Sequence, residues 1–337
     1  MIRSLVLAMI SLALAACAAT TPSATPIRPT ASTTPPLTRG VNVLGYDPIW
    51  QDPARARFQA RHFRTIRDGG FDFVRVNLFA FKHMDASGRL SPAFLSRLDW
   101  IIREASAAGL SVILDEHDFD QCAKDVATCR TRLSGFWGQV APRYRNAPDT
   151  VLFELLNEPH GKLDAATWNA LFPELLAVVR ATNPTRWVVI GPTRWNNFAE
   201  LPTLVLPEND RRIVATFHYY DPFRFTHQGT SWTDLKTLSG VTWGSAADRA
   251  QLATDFGKAA AWGRANNRPV LLGEFGAYDK GTAPLDVRMA YTAAVAREAE
   301  RHGLPWAYWQ FDSDFIAWDM TTDRWVEPVH KALIPAR

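Results

Sequence analysis

The chain has three cysteines in 337 residues, Cys17, Cys122 and Cys129, and eight histidines. Neither type clusters at the ligand spacing that a structural metal site requires, so no metal is expected. No charge sign dominates either: 37 basic and 34 acidic residues are interspersed for a net charge of +3. Without a basic stripe to track a phosphate backbone, nucleic acid is not an expected partner. Glycine-rich phosphate loops are missing as well, which removes the main signature of an open nucleotide-binding sheet and leaves no cofactor to expect. What the chain does have is apolar and aromatic surface. Hydrophobic residues make up 47% of it, with 13 Trp, 19 Phe and 7 Tyr, enough for a substantial core. Trp exceeds what a core usually needs, and flat indole faces suit the apolar faces of sugar rings. Any single Trp is as readily explained by packing.

The first 39 residues carry little of that surface. Arg3, the apolar run Leu5 to Leu14 and the small residues before Cys17 form the layout of a secretory signal. The run is short for a membrane span. Leu14-Ala15-Ala16-Cys17 resembles the bacterial lipobox, which implies lipidation of Cys17 and anchoring to a membrane; an ordinary signal peptide cut near Ala18 is the alternative. By resemblance to lipoprotein sorting, Ala18 after that Cys implies an exported protein at the outer membrane, in the periplasm or at the cell surface. Residues 18–39 are mostly Thr, Pro, Ala and Ser and read as a tether. Extended at about 3.1 Å per residue, it would reach roughly 60 to 70 Å. Export also makes a local Cys122–Cys129 disulfide the expected pairing, with two free thiols as the alternative.

From Gly40 to Arg337, short β-rich runs alternate with longer stretches of helical periodicity, the pattern of parallel strands joined by crossover helices. Eight runs are predicted: Val41 to Tyr46, Phe73 to Leu78, Ser111 to His117, Val151 to Glu158, Trp187 to Gly191, Ile213 to Tyr220, Val270 to Phe275 and Trp306 to Phe311. Helical segments between them include Phe58 to Asp68, Ala93 to Ala108, Arg132 to Tyr144, Trp168 to Thr182, Ala246 to Ala265 and Val287 to His302. Gly69, Gly109 and Gly303 stand where helices stop before the next strand. Eight β-then-α units close into a single (β/α)8 TIM barrel, in the α/β class.

In such a barrel the C-terminal strand ends converge on one mouth. Those ends are polar here: Arg75 and Asn77, Asp115-Glu116-His117, Asn157-Glu158-Pro159, His218-Tyr219-Tyr220, Gly273-Glu274-Phe275 and Tyr308-Trp309-Gln310. Two glutamates on the fourth and seventh strands face each other across the mouth. One carboxyl can protonate a departing oxygen while the other captures the carbon it leaves, as hydrolysis of a sugar acetal demands.

These motifs, in this order, resemble glycoside hydrolase family 5, the cellulase A family, over Gly40 to the C-terminus. The resemblance implies a retaining endo-β-1,4-glycanase of the endoglucanase kind, with Glu158 as acid/base and Glu274 as nucleophile. It further implies that Arg75, His117, Asn157, His218, Tyr220 and Trp309 surround the sugar before the cleaved bond. The stretch Phe217 to Trp232 is similar to a strand-six loop of family endoglucanases, some of which accept mannan. His227, Gln228 and Trp232 there, with Trp195 and Trp318, are candidates for further sugar subsites, each equally readable as structural. Asp115 reads as structural, Glu116 is undecided, and Pro159 shapes a loop. The expected partner is a β-linked polysaccharide or oligosaccharide and the expected state a monomer. An endo-mannanase is the nearest rival; a non-catalytic cell-surface oligosaccharide receptor is the rival of another class, disfavoured because both glutamates are present. A metal-dependent barrel hydrolase would want His on its first strand, and none is there.

Overall fold

The computed structural model describes residues 34–335. Cys17 and most of the predicted tether lie outside the described residues. Eight parallel strands close a barrel in sequence order: β1 (Arg39–Val43), β2 (Phe73–Leu78), β3 (Ser111–Glu116), β4 (Val151–Glu154), β5 (Val188–Ile190), β6 (Ile213–Tyr219), β7 (Val270–Phe275) and β8 (Trp306–Tyr308). Helices Ala60–Asp68, Pro92–Ala107, Val126–Arg143, Ala165–Arg180, Ala246–Ala265 and Leu285–Arg301 form the outer ring. Between β5 and β6 the crossover is made by the short 3-10 helix Phe198–Thr203. The chain closes with the two-stranded ribbon Trp318–Asp319 and Arg324–Trp325 and the helix Glu327–Leu333.

Local chemistry places the helix starts. Ser91, Asp125, Asp164 and Ser245 each accept a backbone N–H of the first turn they cap, and Asp248 completes a reciprocal capping box with Ser245. Asp125 starts its helix earlier than the apolar periodicity predicts, because Val126–Arg143 includes the turn that carries Cys129. Cys129 is disulfide-bonded to Cys122, as expected.

Because the side chains of a strand alternate, each contributes one set to the ring of helices and one to the barrel interior. The lower interior is apolar: Leu37, Phe73, Ile113, Leu152, Trp187, Val189, Val214, Leu271 and Ala307 form a separate buried cluster. Leu37 comes from the predicted tether. Asp72 accepts the backbone N–H groups of Thr38 and Arg39, and Ser111 Oγ donates to Pro36 O. The barrel therefore begins several residues before Gly40, since Leu37 plugs its floor.

One step up each strand, the same inward positions turn polar: Asn42, Arg75, Asp115, Glu154 and Thr216, all fully buried. Several strands end earlier than predicted, β4 at Glu154 instead of Glu158 and β8 at Tyr308 instead of Phe311. The chain leaves the sheet there to present functional groups: Glu158 adopts φ 42°, and the Trp309–Gln310 peptide is cis.

Candidate active site

Arg75 organises the upper barrel. Its guanidinium donates to both oxygens of Glu154 (2.7 and 2.9 Å), to Asn42 Oδ1 (2.9 Å), to Asn157 Oδ1 (2.7 Å) and to Glu274 Oε1 (2.7 Å), and it stands 3.1 Å from Asp115. A planar fork of five donors suits such a cluster, and a lysine could not satisfy it. One cation faces three buried carboxylates, so all three resist ionisation together. Burial pushes Asp115 up to about 7 and Glu154 up to about 6, against the pull of Arg75.

Glu274 sits within β7, buried, with Arg75 on one oxygen and the Tyr220 hydroxyl donating to the other at 3.0 Å. Burial raises its pKa, and the Arg75 and His117 neighbours oppose the rise. The β6–β7 register slips between Phe217 and His218, so His218 pairs with Glu274 and Gly273 is skipped. Such an irregularity re-aims a side chain. A Cβ on Gly273 would come within 2.7 Å of Thr216 Oγ1 and 2.9 Å of His218 Nε2, so only glycine admits the His218 ring.

His218 Nε2 lies 3.3 Å from the Asn196 amide nitrogen. With Asn196 donating there, Nδ1 carries the proton and donates to Glu158 Oε1 at 2.7 Å. Burial keeps His218 neutral, well below the usual histidine range. For Glu158, burial is the largest cause of a strongly raised pKa, followed by the negative charge of Glu274. Oxygens of the two glutamates and a nitrogen of His218 all lie within 4.8 Å of one another. Among the described residues this is the single His and carboxylate grouping that could also meet a cation. Hydrogen bonds to Arg75, Tyr220 and Asn196, and between His218 and Glu158, already engage its members.

His117 Nδ1 donates to Asp115 Oδ2 at 2.6 Å, and its Nε2 faces the Asn157 amide at 3.4 Å. Asp115 thus orients His117 and contacts Arg75, a larger part than the structural one read from sequence. Trp309 lies parallel to the His117 ring at 5.7 Å, with Tyr46 edge-on at 6.4 Å. Arg75, His117, Asn157, His218, Tyr220, Trp309 and both glutamates thus meet at one mouth. The further candidates divide. Trp195 is 54% exposed and Trp232 52%, both available as platforms. Gln228 is 1% exposed, its amide engaged with Phe225 O and Val241 O and its carbonyl with Val241 N and Thr282, so it staples its loop and has no group left for a sugar. Trp318 is stacked on Phe311 and edge-on to Trp325 in the core, so packing claims it. His227 is buried under Phe223 and edge-on to Tyr220, where it supports that ring. Glu116 faces away from Asp115 along β3, accepts Asp118 N at 3.2 Å, and is driven up by burial.

Asn42, Glu154 and Asn196 were missed from sequence. Asn42 and Glu154 carry a readable signal, a polar residue at the inward parity of an apolar strand. Asn196 carries none, because it reaches His218 through three successive left-handed residues, Arg194, Trp195 and Asn196.

The model of the cellulase family, glycosyl hydrolase family 5, matches residues 31–314. Endoglucanase H of Acetivibrio thermocellus is 30% identical over 68% of this chain and 24% of its own length. Endoglucanase 3 of Fibrobacter succinogenes is 27% identical over 88% of this chain and 52% of its own length. The chain therefore spans between about a quarter and about half of these two relatives. Among solved structures, Thermotoga maritima Cel5A in complex with mannotriose is 33% identical with a TM-score of 0.83, covering 89% of this chain and 98% of that one. A family model that covers most of the barrel, together with the paired glutamates at its mouth, establishes that this chain belongs to glycosyl hydrolase family 5.

Proposed function

We propose that the protein is a retaining endo-β-1,4-glucanase that works by double displacement. The observation that carries this reading is the approach of the Glu158 and Glu274 carboxylates to within 4.8 Å, since retaining enzymes hold the pair about 5 to 5.5 Å apart and inverting enzymes leave room for a water between them. Glu274 Oε attacks the anomeric carbon, the bond to the leaving oxygen breaks, and that oxygen takes the Glu158 proton. The ester on Glu274 carries no charge, so the pKa of Glu158 falls and its carboxylate becomes the base. It removes a proton from water as the water oxygen attacks the same carbon and frees Glu274. Asn157, held through Oδ1 by Arg75, is placed to meet the sugar 2-hydroxyl, and Trp309 to stack on the ring.

Glucan is the favoured substrate, with tolerance for mannan-containing chains. The named relatives are endoglucanases, and Cel5A of T. maritima has been seen both with cellobiose and with mannotriose. Cleavage is expected inside the chain, by a monomer tethered through lipidated Cys17. Labelled fatty acid should reach the intact protein and not a Cys17→Ser variant. The function is tested by incubation with carboxymethyl cellulose, mixed-linkage β-glucan, glucomannan, galactomannan and xylan, with anomers followed by NMR. β-configured oligosaccharides from the glucans are expected. Products of inverted configuration would refute the covalent route, and release from mannans alone would make the enzyme a mannanase.

A further inference from the structure

The acid/base glutamate stands outside the sheet. Glu158 follows β4 by four residues in a left-handed conformation, φ 42°, that a non-glycine residue rarely holds without support. His160 supplies support from two residues away: its Nδ1–H donates to the Glu158 carbonyl oxygen at 2.9 Å. The His160 ring is held in turn between two aromatic groups. Phe119 meets it edge-on at 5.6 Å, and the Trp195 indole stacks on it at 4.6 Å and 21°.

Both flanks of this clasp are anchored. Phe119–Lys124, the helix that carries Phe119, is joined through Cys122 to Cys129 on the following long helix. Ala123 O of the same helix accepts Lys162 N at 2.9 Å, and Gly161, at φ 61°, lies so close that a Cβ would touch Ala123 at 3.0 Å. On the other side Trp195 N donates to Pro159 O at 3.3 Å. His160 thus lies between the disulfide-bonded helix and the loop after β5, touching neither glutamate carboxylate.

Resting on the function proposed above, we infer that His160 is the positioning residue for the acid/base: it sets the backbone of Glu158, and hence the aim of its proton, and supports Trp195 beneath the leaving portion of the glycan. The nucleophile, fixed within β7, does not depend on it. A loss of acid positioning is felt only by leaving groups that need a proton.

The test compares kcat/KM for cellotetraose, whose leaving alcohol needs protonation, with that for 2,4-dinitrophenyl β-cellobioside, whose leaving phenolate does not. Wild type, His160→Ala and His160→Asn are measured, with Glu158→Ala as the reference for full loss of the acid. His160→Ala should lose on the order of tenfold on cellotetraose, part of the roughly 10²–10⁴ that general acid catalysis supplies. On the aryl glycoside it should stay within about twofold, as for a step without acid assistance. His160→Asn, which can place an amide N–H near the Nδ1 position, should recover most of the loss. Equal losses on both substrates in folded His160→Ala, or no loss on either, overturn the inference. Thermal unfolding reports folding, and should His160→Ala not fold, His160→Phe, which keeps a ring against Trp195 but has no N–H for the Glu158 carbonyl, takes its place under the same criteria. Wild-type turnover of the aryl glycoside is the separate check on the function itself: its absence overturns that reading and this one with it, whereas its presence with equal losses overturns only the role of His160.

Discussion

The two carboxylates at the mouth are held in opposite ways. Glu274 lies inside a regular strand, its oxygens taken by Arg75 and Tyr220, so its position follows from the barrel itself. Glu158 lies beyond its strand, held by one histidine through its side chain and another through its backbone. The difference matches the work proposed for each. A nucleophile must be ionised and fixed, and a buried guanidinium fixes the carboxylate and opposes the rise that burial imposes on its pKa. An acid/base must change protonation state within one cycle, so it is placed where no cation pairs with it and its pKa answers to the charge on its partner.

Removing the fixed partner should cost most. Glu274→Ala is expected to lose on the order of 10⁴-fold or more in kcat on mixed-linkage glucan, as when a nucleophile that works as part of a unit is deleted. Glu158→Ala should lose roughly 10²–10⁴-fold there and far less on an aryl glycoside with an activated leaving group. Comparable losses for the two variants on the activated substrate would erase the assigned difference in roles. The pH profile sharpens it. Activity requires ionised Glu274 and protonated Glu158, so it should fall as pH drops through the Glu274 value and again as pH rises through the higher Glu158 value. In wild-type kcat/KM profiles the alkaline limb should appear on cellotetraose and be absent on the aryl glycoside, whose leaving group needs no proton, while both keep the acid limb.

Arg75→Ala strikes the fixed side through stability. It strands buried carboxylates, a change that typically costs about 3–5 kcal/mol, and Arg75→Lys should not restore it. Differential calorimetry measures both. The same cluster predicts a pH trend. Asp115 and Glu154 bind their protons more tightly folded than unfolded, so stability should fall as pH rises from about 4 through their folded values of about 6 and about 7. A flat midpoint between those limits would mean that Arg75 keeps all three carboxylates ionised. Gly273→Ala should cost about 1–3 kcal/mol by overpacking and weaken the His218 contact with Glu158. Replacing both Cys122 and Cys129 by Ala touches only the acid/base side. Its effect should be the smallest, about 2 kcal/mol or less in thermal unfolding, because the loop that the disulfide closes is short.

Much of the barrel was legible because parallel strands buried on both faces must read as apolar runs, and because polar residues are expensive inside them. Arg75, Glu274 and His218 stood out for that reason. Trp318 and Gln228 stayed equally readable as subsite or structure because an indole or an amide looks the same in sequence whether it faces a cleft or a neighbouring loop. Strand ends were placed too late because β-propensity continues through Leu155 and Leu156 although the chain is already turning away from the sheet.

By itself the sequence determined the (β/α)8 class, the paired glutamates and a charged Arg75 inside an apolar strand, because periodicity and buried charge are properties of composition along a line. Tertiary structure alone decided which carboxyl is fixed and which is tunable. Strand order brings Arg75 to Glu274, a slipped register brings His218 to Glu158, and two loops distant in sequence close on His160. Each of these depends on distance and burial, from which pKa values and aim follow.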